Sequence, residues 1–416
     1  MRHFRLLLAG NGISAYGSYL NMVALNVFVY HATGSALTAG LYMAVRLATS
    51  VASGWLSGRL VSRYDRKRLM VGADLTQAGA LLALLLAPGT ARVALVFALA
   101  VAGGGCATLS QVALRSSIPE IVGAGQRARA NSLLVTGRAL AMIAGFASSG
   151  VVVAQLGYRA AFVLDAISFV ISAGILSVLP LRTRAAAPQA ADQAPPVPLT
   201  VRVLLRTAPL PAAMIAVRAV DGLGSSSHNV ALPIYSSDLD PHHPATFISQ
   251  FWATWAIGNI LAQQVIGRPA KKGADGIPGE RGFALGACVM SAGFIAVFSG
   301  LPTAPAVIAA LIAGAADGFT EIVYVSRLQS APDEQRGRLF GLAASTENAG
   351  FGLGMLISGA LLERFSPLTV VAGFHGLAMV LCIALFTLLY RRGPAPGPDP
   401  AAAMGRELPG TPGGGA

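Results

Sequence analysis

Twelve long apolar runs constrain this chain more than any other feature. They are Leu6–Tyr30, Ala36–Ser57, Leu69–Leu86, Val93–Leu114, Ser132–Leu156, Ala160–Pro180, Ala208–Tyr235, Thr246–Gly267, Gly282–Gly300, Thr303–Ser326, Leu339–Leu362 and Ser366–Tyr390. A helix needs about 20 apolar residues to cross a bilayer core of roughly 30 Å. In lipid only helices and closed barrels satisfy every backbone polar group, and unbroken apolar runs of this length read as helices. The first run lacks a small-residue cleavage site and is too long for a signal-peptide core, so it counts as a retained span. Composition agrees. Charged residues make up 12% of the chain and hydrophobic ones 54%, where soluble domains carry about a quarter charged residues. Forty-eight glycines with 7% aromatics suit helices that approach closely in lipid. Cys106, Cys288 and Cys382 all fall inside apolar runs, which leaves no disulfide framework and no CxxC metal site. A soluble enzyme, a disordered chain and a secreted disulfide scaffold are excluded in favour of a polytopic membrane protein.

Arginine and lysine placement sets the expected topology. With the N-terminus inside, 24 of the 30 basic residues fall in cytoplasmic segments. Arg92, Arg159 and Arg364 fall outside, and Arg46, Arg138 and Arg218 fall within spans. The formal charge of +12 is thus a topology signal. It marks anionic lipid headgroups as neighbours rather than nucleic acid, since no soluble basic domain presents the charge.

Between spans six and seven, Leu181–Arg206 is rich in Ala and Pro and sits at mid-chain, as a linker between two halves would. The expected organisation is a six-helix bundle over 1–181, a cytoplasmic linker over 182–206, a second six-helix bundle over 207–392 and a disordered cytoplasmic tail over 393–416. The halves echo each other. After span four come Arg115, Pro119-Glu120 and Arg127-Ala128-Arg129; after span ten come Arg327, Pro332-Asp333-Glu334 and Arg336-Gly337-Arg338. Matching loops in two six-span halves point to duplication, the architecture of transporters that rock two bundles about a central site.

After span two the chain reads Gly58-Arg59-Leu60-Val61-Ser62-Arg63-Tyr64-Asp65-Arg66-Lys67-Arg68. This resembles the signature loop of the major facilitator superfamily. With Asp74, Thr33-Gly34-Ser35-Ala36, Pro332–Arg338 and Phe162–Phe169, it is similar to the branch holding macrolide efflux proteins and the enterobactin exporter. Ser62 stands where the family has an acid before its first loop arginine, and Ser18 where the branch often has an acid in span one. The resemblance implies twelve transmembrane helices in two pseudo-symmetric six-helix bundles, with spans one, four, seven and ten lining the cavity. It also implies export as the direction of transport. Gly58, Arg63, Asp65, Arg66 and Arg68 form the expected gating loop. Gly54 and Gly58 are spaced for close helix approach, and the basic cluster can reach acids or helix C-termini of the neighbouring bundle. Topogenic charge alone is the alternative account of the same arginines, but the glycine spacing and Asp65 go beyond what orientation requires.

Each ionisable residue inside a span costs at least about 2.5–3.5 kcal/mol and calls for a reason. Arg218 and Asp221 lie at i, i+3 on span seven; Asp317 and Glu321 lie at i, i+4 on span ten and share a face. Two carboxylates this close in low dielectric cannot both ionise cheaply, the property a proton carrier needs. Glu347 on span eleven and Arg46 on span two are placed to pair across the halves in one conformation. For each of the six, a static buried ion pair is the alternative. Asp74 and Asp165, on supporting spans, read better as helix-end contacts.

His242-His243 near Asp238 and Asp240 reads as an exposed loop, not a metal site. No phosphate-binding GxxxxGK[ST] loop, Gly-x-Ser-x-Gly elbow or HExxH motif is present, so neither a cofactor nor enzyme chemistry is expected. The reading is a monomeric secondary transporter in a bacterial plasma membrane with both termini cytoplasmic. It exports a small amphipathic compound, such as an antibiotic, in exchange for protons. A siderophore or other anionic metabolite, bound by Arg46 and Arg218, is the alternative; a non-transporting membrane sensor is the alternative of another class.

Overall fold

The computed structural model describes residues 2–88, 91–122, 127–179, 209–270, 279–330 and 333–391. The expected linker and tail lie outside these residues, as does Pro332 of the repeated loop.

Each apolar run becomes a helix. The first four are α1 (Arg2–Thr33), α2 (Ala36–Arg63), α3 (Arg66–Leu86) and α4 (Arg92–Val122). The stretch Arg127–Val178 is helical throughout except at Gly157, whose φ of 77° and ψ of 173° break it into α5 (127–156) and α6 (158–178). Positive φ is open to glycine without strain. The second half supplies α7 (Pro209–Leu239), α8 (Pro244–Ala270), α9 (Glu280–Val297), α10 (Thr303–Gln329), α11 (Asp333–Leu362) and α12 (Pro367–Arg391). By length and hydropathy alone, five helical stretches among the described residues qualify as membrane spans: Arg66–Leu86, Arg92–Ile118, Ser132–Val178, Thr303–Leu328 and Pro367–Leu385. The third of these contains two helices, because Gly157 lies inside it. Among the described residues all regular structure is helical, as in a multi-pass membrane protein.

Helix pairings repeat between the halves. α1 with α5, α2 with α4 and α3 with α4 recur as α7 with α11, α8 with α10 and α9 with α10. The α2–α4 and α8–α10 seams use the same device. Gly104 of α4 lies against the Arg46 backbone, and Gly314 of α10 against the Trp255 backbone, too close for a Cβ at either position. Helix association in lipid depends on such contacts, since apolar side chains gain nothing by leaving acyl tails.

One buried polar tie escaped the sequence reading. His228 on α7 and His375 on α12 are 2% and 0% exposed. Their rings stack 5.5 Å apart, with His228 Nδ1 3.2 Å from His375 Nε2. Ser291 Oγ of α9 sits 3.3 Å from His375 Nδ1, so three helices of the second bundle share one hydrogen-bonded line.

The two bundles meet through α2 with α11 and α5 with α8. Their contacts concentrate at the end opposite Arg2. There Ser35 Oγ and the Leu37 N–H donate to Glu363 Oε1 at 2.8 and 3.0 Å, and His31 Nε2 lies 2.9 Å from Ser237 Oγ. The Phe146 and Trp252 rings come within 5.7 Å. At the other, arginine-rich end the α2 face bearing Gly54 and Gly58 and the α11 face bearing Gly341 have nothing within 4 Å of a would-be Cβ. The molecule is closed at one end and open at the arginine-rich one.

Candidate functional site

Spacing on two helices builds the charged cluster. Arg218 and Asp221 share one face of α7; Asp317, Glu321 and Tyr324 follow at i, i+4 and i+7 on one face of α10. Packing of α7 and α10 in one bundle turns these faces together. Arg218 then meets three carboxylates: Asp221 Oδ2 at 3.1 Å, Asp317 Oδ1 at 3.5 Å and Glu321 Oε2 at 2.7 Å. Its guanidinium carbon also lies 5.6 Å from the Tyr324 ring centroid, within cation–π range. Asn259 of α8 donates Nδ2 to Asp317 Oδ2 at 3.0 Å. The Tyr324 hydroxyl donates to Glu347 Oε1 of α11 at 2.7 Å. Five of the six residues marked in the sequence therefore join in one cluster of one cation and four carboxylates. Tyr324 and Asn259 complete it and were missed. Tyr324 was findable, because it continues the Asp317–Glu321 stripe by one turn; Asn259 comes from another helix.

Burial grades the cluster. The Asp221 side chain is 7% exposed and that of Glu321 43%. Arg218 is nine residues from the start of α7, about 14 Å along the axis, on the side where the bundles stand open. Glu321 is therefore the accessible carboxylate of the cluster and Asp221 the shielded one.

Arg46 does not join Glu347. Tyr324 holds Glu347 within its own bundle, and Arg46 lies in the first bundle, where no ion pair links the two among the described residues. Arg46 instead lines a central cavity of about 300 Å³ between the bundles, with Met22, Met43, Asn26, Asn229, Phe351 and Met355 among its walls. It is the one charged side chain among the described residues lining that space. A second cavity of about 280 Å³ lies inside the first bundle and reaches Arg46, Asp74, Asn11, Gln111 and Arg138. Asp74 and Asp165 are not helix-end contacts. They are 5% and 2% exposed; Asp165 accepts from Asn21 of α1, and Asp74 lines the 280 Å³ cavity that α1 also lines.

The gating-loop residues are placed as follows. Asp65 N-caps α3, accepting from the Arg68 N–H at 3.0 Å. Arg66 is buried and donates to the Ser116 carbonyl at 2.7 Å. Lys67 donates to the Ser177 and Leu179 carbonyls, both at 2.7 Å, which satisfies the end of α6. These contacts lie within the loop's own bundle, where the sequence pointed to the neighbouring one. Arg63, Arg68 and Gly58 are exposed. The expected close approach at Gly54 and Gly58 is absent in this conformation, since the bundles diverge at that end. In the α7–α8 loop, Asp240 Oδ1 accepts the backbone N–H groups of His242 and His243 at 3.0 Å. Those hydrogen bonds hold its carboxyl below the usual carboxylate range. Among the described residues no group of three or more His, Cys, Asp or Glu could hold a metal.

The sequence profile of the Major Facilitator Superfamily matches residues 7–330 and 280–412. A comparison with curated proteins by sequence returns no match. Among solved structures, the nucleoside transporter NupG is similar with a TM-score of 0.70 at 17% identity, over 94% of this chain and 99% of that one. A peptide transporter POT in complex with sulfate gives 0.70 at 16% over 94% and 95%. A bacterial homologue of the iron transporter ferroportin, in an inward-facing state, gives 0.70 at 17% over 92% and 98%. At such identities the likeness is one of fold.

Proposed function

Because this chain belongs to the Major Facilitator Superfamily, we propose that it is a proton-coupled antiporter exporting a small amphipathic compound by alternating access. The observation that carries the coupling is Arg218 held by Asp221, Asp317 and Glu321 at 2.7–3.5 Å. One cation cannot neutralise three carboxylates in low dielectric, so a proton relieves excess negative charge there. Gain or loss of that proton changes how many carboxylates Arg218 holds, which gives the α7–α10 packing two arrangements to choose between.

The arginine-rich end is the cytoplasmic one by the positive-inside rule, and the structure is then open to the cytoplasm. In this state Glu321 releases its proton to the vestibule and Arg218 closes on the carboxylates. Substrate enters the central cavity, whose Met22, Met43, Met355 and Phe351 walls adapt to varied apolar shapes while Asn26, Asn229 and Arg46 meet polar groups. Transition to the opposite state breaks the Glu363 contacts and packs α2 on α11 through the Gly54–Gly58 face. A proton from outside then reloads the cluster as substrate leaves. An anionic substrate is the second reading, favoured by Arg46 standing as the charged group on the central wall.

A susceptibility and accumulation panel in an efflux-deficient bacterial host tests the proposal. It compares wild type with Asp221→Asn, Asp317→Asn, Glu321→Gln and Glu347→Gln, with and without a protonophore. Export that a protonophore abolishes and that one or more of these substitutions removes is the expected result. Export indifferent to the protonophore and to all four substitutions would overturn it.

A further inference from the structure

Asp165 stands outside the cluster just described. It lies on α6 in the opposite bundle, 2% exposed. Asn21 of α1 donates Nδ2 to its Oδ2 at 2.8 Å, and Ser168 Oγ is 3.4 Å from its Oδ1. The Asn21 side chain is itself buried, at 6% exposure, and its Oδ1 has no hydrogen-bond partner. Buried amides nearly always satisfy both ends. An ionised carboxylate cannot supply the missing donor, because it only accepts; a protonated one carries an O–H. The pair is thus one hydrogen bond short when Asp165 is ionised and can be completed by a proton on it.

Asn21, Asp165, Ser18, Gln77 and Arg46 line one pocket of about 30 Å³, room on the order of one water molecule. Ser18, Gln77 and Arg46 also line the 280 Å³ cavity, which continues past Asn11 and Gln111 toward the arginine-rich end. Arg46 further lines the central cavity. The titratable and charged groups around this path are Tyr42 and Arg46 from α2, Asp74 from α3, Cys106 from α4, Tyr19 from α1 and Arg138 from α5. Arg46 lines the same small pocket as Asp165 and Tyr42, and Arg138 is hydrogen-bonded to the Tyr19 hydroxyl at 2.9 Å.

We propose that Asp165 is a second proton-binding site, filled and emptied through the cavity of the first bundle and governed by Arg46. With the guanidinium turned toward Asp165 the proton leaves; with it drawn toward an occupant of the central cavity the proton stays. The binding step is a simple protonation: the Asp165 carboxylate takes one proton from cavity water and returns it there.

Infrared difference spectroscopy of the full chain in lipid vesicles, titrated with acid and no added substrate, tests this directly. The expected result is a protonated-carboxyl C=O band that Asp165→Asn removes and Asp165→Glu retains at a shifted frequency. Arg46→Gln should move its midpoint upward, so that the proton is held to higher pH, and Arg46→Lys should bring it back. Elution as a single folded species qualifies each variant. A band unchanged in Asp165→Asn, or a midpoint insensitive to Arg46→Gln, would overturn the proposal. Loss of the band only in variants of Asp221, Asp317, Glu321 or Glu347 would do the same while leaving the antiport reading intact.

Discussion

Arg218 is the residue on which most of the site depends. Removing one partner of a buried ion pair leaves the rest uncompensated and typically costs about 3–5 kcal/mol; water in the vestibule brings the expectation to the low end of that range. Arg218→Gln should therefore lower thermal stability in detergent clearly more than Glu321→Gln, whose carboxylate is 43% exposed. Protonation of the carboxylates should recover part of the loss at acidic pH. A second prediction concerns Gly17 of α1. A Cβ there would stand 2.8 Å from Asp165 Oδ1, so Gly17→Ala should destabilise by about 1–3 kcal/mol through overpacking, and a thermal-unfolding comparison with Gly12→Ala, where space is open, isolates the effect. The sequence exposed the charged members of the cluster because helical spacing alone puts Arg218 with Asp221, and Asp317 with Glu321, on shared faces. Asn259 was not legible. It comes from a different helix, and an uncharged amide in an apolar run carries no energetic alarm until its partner is known.

At the scale of elements, the α2–α11 seam holds the closed end. Glu363 accepts from the Leu37 N–H and Ser35 Oγ, and these bonds hold its carboxyl below the ordinary carboxylate range. A lowered value means the contact is at full strength above the carboxylate's ordinary value and fades as pH falls through the lowered one. Spin-label distances across this end should thus be constant from neutral to mildly acidic pH and lengthen only in strong acid. Glu363→Gln should populate the opened end a few-fold more than wild type at neutral pH, since an exposed contact of this kind contributes modestly, and the difference should vanish in strong acid. At the other end, Gly58→Trp should hinder α2 from packing on α11, trap the present conformation and stop turnover without unfolding the protein; spin-label distances at that end together with accumulation assays check it. Helix existence was readable from apolar length, and the gap left between Leu156 and Ala160 holds Gly157, where the chain turns. Direction was not. The loop arginines fit gate and topology alike, and only packing shows Arg66 and Lys67 bound to carbonyls of their own bundle.

For the whole molecule, duplication was visible in the loops and is visible again in helix pairing, since α2–α4 and α8–α10 use glycine seams of the same kind. What the repeat does not share is charge: the cluster of one cation and four carboxylates belongs to the second half, and the 280 Å³ cavity to the first. That asymmetry suits a machine in which one bundle exchanges protons with the vestibule while Arg46 of the other faces the substrate space. The most direct test uses proteoliposomes, a compound found by the host panel and an imposed pH gradient. Transport should run against the proton gradient, reverse when the gradient is reversed, and collapse with protonophore or when Asp221, Asp317 and Glu321 are all made neutral. Transport of the same compound at the same rate in all these conditions would contradict proton-coupled alternating access.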